Sequence, residues 1–443
     1  MSIKAIDKAS IHHITSGQVV IDLQTAVKEL VENSVDAGAT SIEVRFRNYG
    51  LSSIEVVDNG CGIAEDDYES IALKHHTSKL ETFSDLTSVE TFGFRGEALS
   101  SLCALSEQVS ISTATASTTP MGTSLVLDSS GKLLKRSAVA RNQGTSITLT
   151  NIFSPLAVRR KELERNIKRE FAKALSLLNA YALGPCAAAP GIRLTVTNQQ
   201  EKGGKSTPIR TLGLPSCRES VTALWGPKSL DNIVDVDITF EVEREKVVLK
   251  RLQNQELEPF TVQVRGLTSK FSVGCGRAGT DRQFFYVNGR PCNMNKIQKC
   301  FNEVYRSFNA TQAPFIVANI MMPTHIYDVN VSPDKRTILL HSEANLISAL
   351  KVAFFFSLPY VIGLTTHIRL LSRFILRHPG QPLISGRRSR DPKHLRRAYF
   401  PWRRLAKLPV IATRSSPKRT MKDHLPLLHP HPQPLLSALP APL

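Results

Sequence analysis

Glu29 and Asn33 lie four residues apart in QTAVKELVENSVDAG, a spacing that stacks both side chains on one face of a helix. A carboxylate and an amide so placed can take a proton from water and offer a neutral oxygen to a hard cation. Glu32 and Asp36 share the helix and read as solvated acids. Asp58 ends a second segment, IEVVDNGCGI, where Gly60 and Gly62 allow a ligand to approach the backbone. By itself, Asp-Asn-Gly reads as a turn. A third segment, TFGFRGEALSSL, sets Gly93 and Gly96 before an apolar run that begins near Glu97. Amides exposed at such a helix start can cradle phosphate. GGKST at 203–207 lacks the strand-to-helix frame of a phosphate-binding P-loop and reads as part of an exposed loop over 198–208.

These residues need elements to hold them. Leu23, Val27, Leu30 and Val31 give the first acidic segment an apolar helical face. Alternation predicts strands over 41–46, 53–58, 108–112, 123–128 and 145–150, and 161–180 reads as a long helix with a charged outer face. Residues 1–215 are thus expected to form a mixed α+β domain. Strands follow over 234–242, 260–267 and 282–287, then a helix over 294–308, a strand over 315–321 and a helix over 343–355. That order predicts a smaller α/β domain over 216–356, with a right-handed crossover.

The 443 residues carry a net charge of +18, unevenly spread. Residues 357–443 hold 16 of the 56 Lys and Arg against two acids, Asp391 and Asp423, a local charge of +14. They also hold 13 of the 25 prolines and show no sustained hydrophobic period, so disorder is expected there. Any nucleic-acid contact by the remainder must therefore rest on local patches. The densest is Arg159, Arg160 and Lys161, followed by Arg165, Lys168 and Arg169 but interrupted by Glu162, Glu164 and Glu170. Seven scattered cysteines, never in a CxxC pair, suggest free thiols in a reducing compartment. The N-terminus lacks a signal-like apolar run, and the apolar stretch 352–364 is too short for a membrane span, so a cytosolic or nuclear protein without a membrane partner is expected.

KELVENSVDAGA, DNGCGI, HHTSK, GFRGEALSSL, Gly144-Thr145 and VSPDKR, in this order, resemble the ATPase motifs of the MutL family of DNA mismatch repair proteins. SGQVV, LKHHTSK and TDRQFFYVNGRPC resemble its eukaryotic PMS branch, and the likeness covers about residues 1–355. It implies a GHKL-type ATPase α/β sandwich, then a smaller domain like ribosomal protein S5, with ATP and Mg²⁺ as cofactors. Glu29 would be the general base, Asn33 the Mg²⁺ ligand, Asp58 the acceptor for the adenine amino group and Thr145 its support. Gly60 and Gly62 would border the base. His76, Thr77, Ser78 and Lys79 would form a lid, and Gly93, Phe94, Arg95, Gly96 and Glu97 would wrap the phosphates, with Arg95 alternatively locking the lid by an ion pair. Lys335 would reach the γ-phosphate from the second domain.

The same resemblance implies ATP-driven pairing of N-terminal domains completed by residues 3–14, a heterodimer with another MutL-family protein, a mismatch-recognition partner and nuclear localisation. It also implies nonspecific contacts to double-stranded DNA through Arg159, Arg160, Lys161 and, in a second loop, Arg277. Two departures stand out. Pro155 is displaced relative to the family's usual motif, and the likeness stops after about residue 354 without the family's nuclease motif, as expected of a truncated or misread product without endonuclease activity. The rival reading is a DNA-binding or adaptor fragment with negligible turnover, a module with no need for Glu29. A chaperone or topoisomerase is disfavoured by the short second domain and by the lack of a tyrosine cleavage domain.

Overall fold

The computed structural model describes residues 5–79, 91–244 and 258–357. The basic, proline-rich segment expected to be disordered therefore lies outside the described residues, as do residues 3 and 4 of the expected pairing arm.

An eight-stranded sheet is built from β1 (Ser41–Arg47), β2 (Ser53–Asp58), β3 (Gln108–Ala114), β4 (Met121–Leu127), β5 (Leu133–Ala140), β6 (Gly144–Thr150), β7 (Arg193–Gln199) and β8 (Lys205–Arg210). Its order is β5-β4-β3-β6-β2-β1-β7-β8. Only β1 and β7 pair in parallel; the other pairings are antiparallel. The period-2 pattern sends Ile42, Val44, Phe46, Ile54, Val56, Val109, Ile111 and Leu149 into one core, while Glu43, Arg45 and Glu55 stay on the opposite face.

Helices cover the apolar face: α1 (Lys8–Val19), α2 (Leu23–Asp36), α3 (Ala98–Leu105) and the long α4 (Ala157–Leu183). Asp22 caps α2 by accepting the Thr25 amide at 2.8 Å. Leu23, Ala26, Val27, Leu30 and Val31 then anchor α2 in the core. Truncating a side chain such as Leu30 to alanine would cost about 2–5 kcal/mol, so the orientation of α2 is firmly set.

The second sheet comprises β9 (Ile233–Val242), β10 (Phe260–Ser269), β11 (Gln283–Val287), β12 (Arg290–Pro291) and β13 (Ile316–Met321), in the order β12-β11-β13-β10-β9. β11 and β13 run parallel, as the strand, helix, strand order predicts, with the Asn295–Arg306 helix between them in sequence. Helix α5 (Cys217–Trp225) packs where the two sheets meet. There Ala180 and Leu183 of α4 join Val221, Phe284, Tyr286, Phe315 and Val317 in one apolar cluster. The Tyr286 hydroxyl donates to the Ala180 carbonyl at 2.7 Å.

The exposed loop expected over 198–208 is corrected: β7 continues to Gln199, β8 begins at Lys205, and Asn198 pairs with Ser206. β8 is an edge strand whose first four residues are exposed, so it lacks the apolar alternation that marks a strand. β5 escapes notice for the same reason, since it is the other edge strand and six of its eight residues are exposed.

Candidate active site

Helix α2 and the ends of β2 and β6 form one wall of a cleft of about 290 Å³. Residues 76–79 and 93–97 form the opposite wall, and Pro333 and Lys335 close it. Glu29, Asn33, Asp58, Gly62, His76, Thr77, Ser78, Lys79, Gly93, Phe94, Arg95, Gly96, Glu97, Thr145 and Lys335 all line it. Gly60 does not. It sits behind the wall against Ala37 and donates its amide to Asp58 Oδ1 at 2.9 Å.

Asp58 is held from three directions. Its Oδ1 accepts the amides of Gly60 and Thr145, the latter at 3.1 Å, and its Oδ2 accepts the Ser34 hydroxyl at 2.9 Å. The Thr145 contact depends on Gly144, whose φ of +124° disfavours any other residue and whose added Cβ would lie 2.1 Å from the Asp58 carbonyl oxygen. Thr145 Oγ1 in turn contacts Thr113 Oγ1 at 3.1 Å. The result is a fixed carboxylate with lone pairs still available at the cleft.

Glu29 is buried and ionic. Its Oε1 accepts from Lys28 Nζ at 2.8 Å and its Oε2 from Lys335 Nζ at 3.2 Å. Burial alone would raise its pKa, but the two ammonium groups outweigh that and hold the carboxyl at about 2. Burial pulls Lys335 below the ordinary lysine value, against the opposing effect of Glu29. Lys335 also sits over the Phe94 ring, 5.1 Å from its centroid. It adopts a left-handed φ of 55°, strain of order 1–3 kcal/mol for a residue with a Cβ. The turn that imposes it is laced by Ser332 Oγ to Asp334 at 2.6 Å and by the Lys335 amide to the Ser332 carbonyl at 3.1 Å.

The two acids expected to be solvated are not, which corrects that reading. Glu32 is 1% exposed and bonds Lys28 Nζ and the Tyr181 hydroxyl, at 2.8 and 2.6 Å. Asp36 accepts the amides of Phe92 and Gly93, both at 2.9 Å, and Lys79 Nζ at 2.6 Å. Lys79 also donates to Asn33 Oδ1 at 3.0 Å, so α2 grips both walls of the lid segment.

Across the junction, Arg290 donates to the carbonyls of Thr91 and Phe92 at 2.8 and 3.2 Å. It is delivered by a tight Asn288-Gly289 turn, both residues at positive φ. Arg95 bonds Asn330 and the Ser332 carbonyl, in the turn that carries Lys335. Those partners are neutral, so the Arg95 contact is a hydrogen-bonded tie rather than an ion pair.

Sequence reading missed Lys28, Ser34, Tyr181, Arg290 and Asn330. Lys28, four residues before Glu32, and Ser34 sit in the same motif as Glu29, and Arg290 sits in TDRQFFYVNGRPC, whereas Tyr181 and Asn330 left no signal.

The proposed DNA contacts divide. Arg159 donates to the carbonyls of Gly17 and Val20, both at 3.0 Å, and stacks on Phe153. Arg160 donates to the Leu51 and Ile152 carbonyls and to Glu164. Both guanidinium groups are thus engaged in tying α4 to its surroundings. Lys161 is exposed, and Arg277 is half-buried and paired with Asp281 at 2.9 Å.

The ATPase family model described as "Histidine kinase-, DNA gyrase B-, and HSP90-like ATPase" matches residues 21–142, and "DNA mismatch repair protein, C-terminal domain" matches residues 241–355. Mismatch repair endonuclease PMS2 of Homo sapiens is 46% identical over 354 residues, covering 80% of this chain and 40% of that relative. DNA mismatch repair protein PMS1 of Saccharomyces cerevisiae is 40% identical over 353 residues, covering 79% of this chain and 40% of the relative. The crystal structure of an N terminal domain of a DNA repair protein aligns with 40% identity and a TM-score of 0.68, covering 78% of this chain and 97% of that one. The chain therefore spans about two fifths of the length of these curated relatives. It belongs to the MutL/PMS family of DNA mismatch repair proteins, and its eight-stranded sheet with the helices that cover it is that family's GHKL-type ATPase fold.

Proposed function

We propose that this chain binds ATP in the cleft and hydrolyses it as the nucleotide-driven part of a DNA mismatch repair factor. The observation that carries the reading is Lys335, which a turn 306 residues along the chain brings to 3.2 Å from Glu29. An acid that can accept a proton and a cation that can meet a phosphate thus share one point in a buried cleft.

Asp58 would accept the adenine amino hydrogen; guanine offers an acceptor there, which the carboxylate would repel. The lid residues His76, Thr77, Ser78 and Lys79, with Gly93 through Glu97, would enclose the phosphates. Glu29 would take a proton from water as the water oxygen bonds to the γ-phosphorus and the bond to the β–γ bridging oxygen breaks. Lys335 would balance charge on the terminal phosphate. Among the described residues no cluster of three His, Cys, Asp or Glu could cage a metal ion. Asn33 Oδ1 accepts Lys79 Nζ at 3.0 Å and keeps a second lone pair, and one such oxygen would suit Mg²⁺, which takes few protein ligands and completes its shell with phosphate and water. Bound there, it would neutralise phosphate charge.

The division into an ATPase domain ending near residue 215 and an S5-like domain to about 356 remains part of this proposal, supported by the separate cores of the two sheets. Loss of the γ-phosphate would remove the counter-charge of Lys335 and be felt by the second sheet through its turn. Ile11 and Ile14, exposed on α1, support pairing with another MutL-family chain. Lys161 and Arg277 would meet DNA phosphates without reading sequence. A mismatch-recognition partner and a nuclear site of action complete the reading.

Steady-state ATP hydrolysis and ATP binding by the full chain, Glu29→Ala and Asp58→Ala test it. Glu29→Ala should bind without turnover and Asp58→Ala should bind ATP roughly tenfold to a hundredfold more weakly; equal turnover by all three would sink the proposal.

A further inference from the structure

Lys28, Glu32 and Tyr181 are 2%, 1% and 1% exposed. None of them lines the cleft. Two carboxylates and an ammonium in a core are costly unless each is matched, and here each is matched in one line. The Tyr181 hydroxyl donates to Glu32 Oε1 at 2.6 Å, Glu32 Oε2 accepts Lys28 Nζ at 2.8 Å, and the same ammonium donates to Glu29 Oε1 at 2.8 Å. Neighbouring residues on a helix point about 100° apart and do not ordinarily meet. Lys28 reaches Glu29 here while also bonded to Glu32, one turn away on the same helix. One oxygen of Glu29 is thereby pinned, and the other, Oε2, is the oxygen that meets Lys335. The far end of the line is anchored outside α2, because Tyr181 belongs to α4, next to the Ala180 carbonyl that Tyr286 holds.

We infer that Lys28, Glu32 and Tyr181 form a buried relay that orients the Glu29 carboxylate for its reaction with water, as positioning residues that never touch substrate. The inference rests on the reading of Glu29 as the general base. Well-placed general bases contribute on the order of 10²–10⁴ in rate, and a carboxylate freed to rotate forfeits part of that while the nucleotide contacts of Asp58 and Thr145 stay as they were.

The test measures kcat and, by equilibrium binding, the ATP Kd of the full chain and of Tyr181→Phe, Glu32→Gln, Lys28→Met and Glu29→Ala. Tyr181→Phe removes a single hydroxyl and should lower kcat roughly tenfold, Glu32→Gln similarly and Lys28→Met more, with Kd shifted less than about threefold. Should Lys28→Met fail to fold, Tyr181→Phe decides. Native kcat in Tyr181→Phe and Glu32→Gln would overturn the relay, as would kcat and Kd degrading together, the mark of a merely structural role. The Glu29→Ala arm separates the two readings. If it alone is inactive, only the relay is wrong; if it turns over normally, the general-base reading falls as well.

Discussion

Lys335 Nζ lies 3.2 Å from Glu29 Oε2, and both side chains are about 5% exposed. The pair joins α2 to the turn over residues 332–335 through the cleft itself. Replacing Lys335 with methionine keeps much of the apolar stem over Phe94 but removes the charge. The expected outcome is a fall in kcat on the order of 10², with a smaller change in ATP affinity. A variant whose steady-state hydrolysis stays within twofold of native, by any reasonable replicate error, would exclude a role for Lys335 at the terminal phosphate.

Asp58 organises more than a base contact, because Gly60, Thr145 and Ser34 all donate to it. Asp58→Ala leaves those donors without their acceptor, at about 1–3 kcal/mol for each one left buried and unsatisfied. ATP affinity should drop roughly tenfold to a hundredfold from loss of the charged hydrogen bond alone. Competition binding with GTP is the sharper check: the native chain should prefer ATP, and the variant should lose that preference.

Arg159 and Lys161, two residues apart, should behave as opposites. Arg159 donates to the Gly17 and Val20 carbonyls, so Arg159→Ala should lower stability by about 1.5–3 kcal/mol with little effect on the salt dependence of DNA binding. Lys161 is exposed, so Lys161→Ala should leave thermal melting unchanged and reduce the slope of log affinity against log salt by roughly one. The reverse pattern would return the DNA contact to Arg159.

The contrast shows what a sequence can and cannot carry. α2 is legible because Leu23, Val27, Leu30 and Val31 repeat at helical spacing, and β1 and β2 because Ile42, Val44, Ile54 and Val56 alternate. The cleft residues are legible because each sits in a compact motif. Edge strands β5 and β8 carry polar or unpatterned residues, so nothing periodic announces them. Glu32 looks like any surface acid until α4 brings Tyr181 onto it, 149 positions away. Arg290 and Asn330 acquire their roles only when the second sheet docks beside residues 91–95. Long-range pairing between single polar residues has no local period, and that is the part the sequence leaves unwritten.

Acid should expose the ionic character of the site. The Glu29 carboxyl is held at about 2 against an ordinary value of 4.5: its burial opposes ionisation, and Lys28 and Lys335 more than compensate. A group depressed in the folded state adds stability that is complete above its ordinary value and disappears as pH falls through the folded one. The window is therefore 4.5 down to about 2. Glu29→Gln keeps the shape of the side chain but has no proton to lose. Urea unfolding of the native chain and Glu29→Gln should show the native chain ahead at about pH 6, with the gap narrowing at about pH 3. Protonating Glu29 would then leave Lys28 and Lys335 facing a neutral acid, and the lid side of the cleft should loosen first. Hydrogen exchange at the Phe92 and Gly93 amides, which Asp36 holds in the same cleft wall, would register that loosening. A stability gap equal at both pH values would mean that Glu29 is not held ionised by its two lysines.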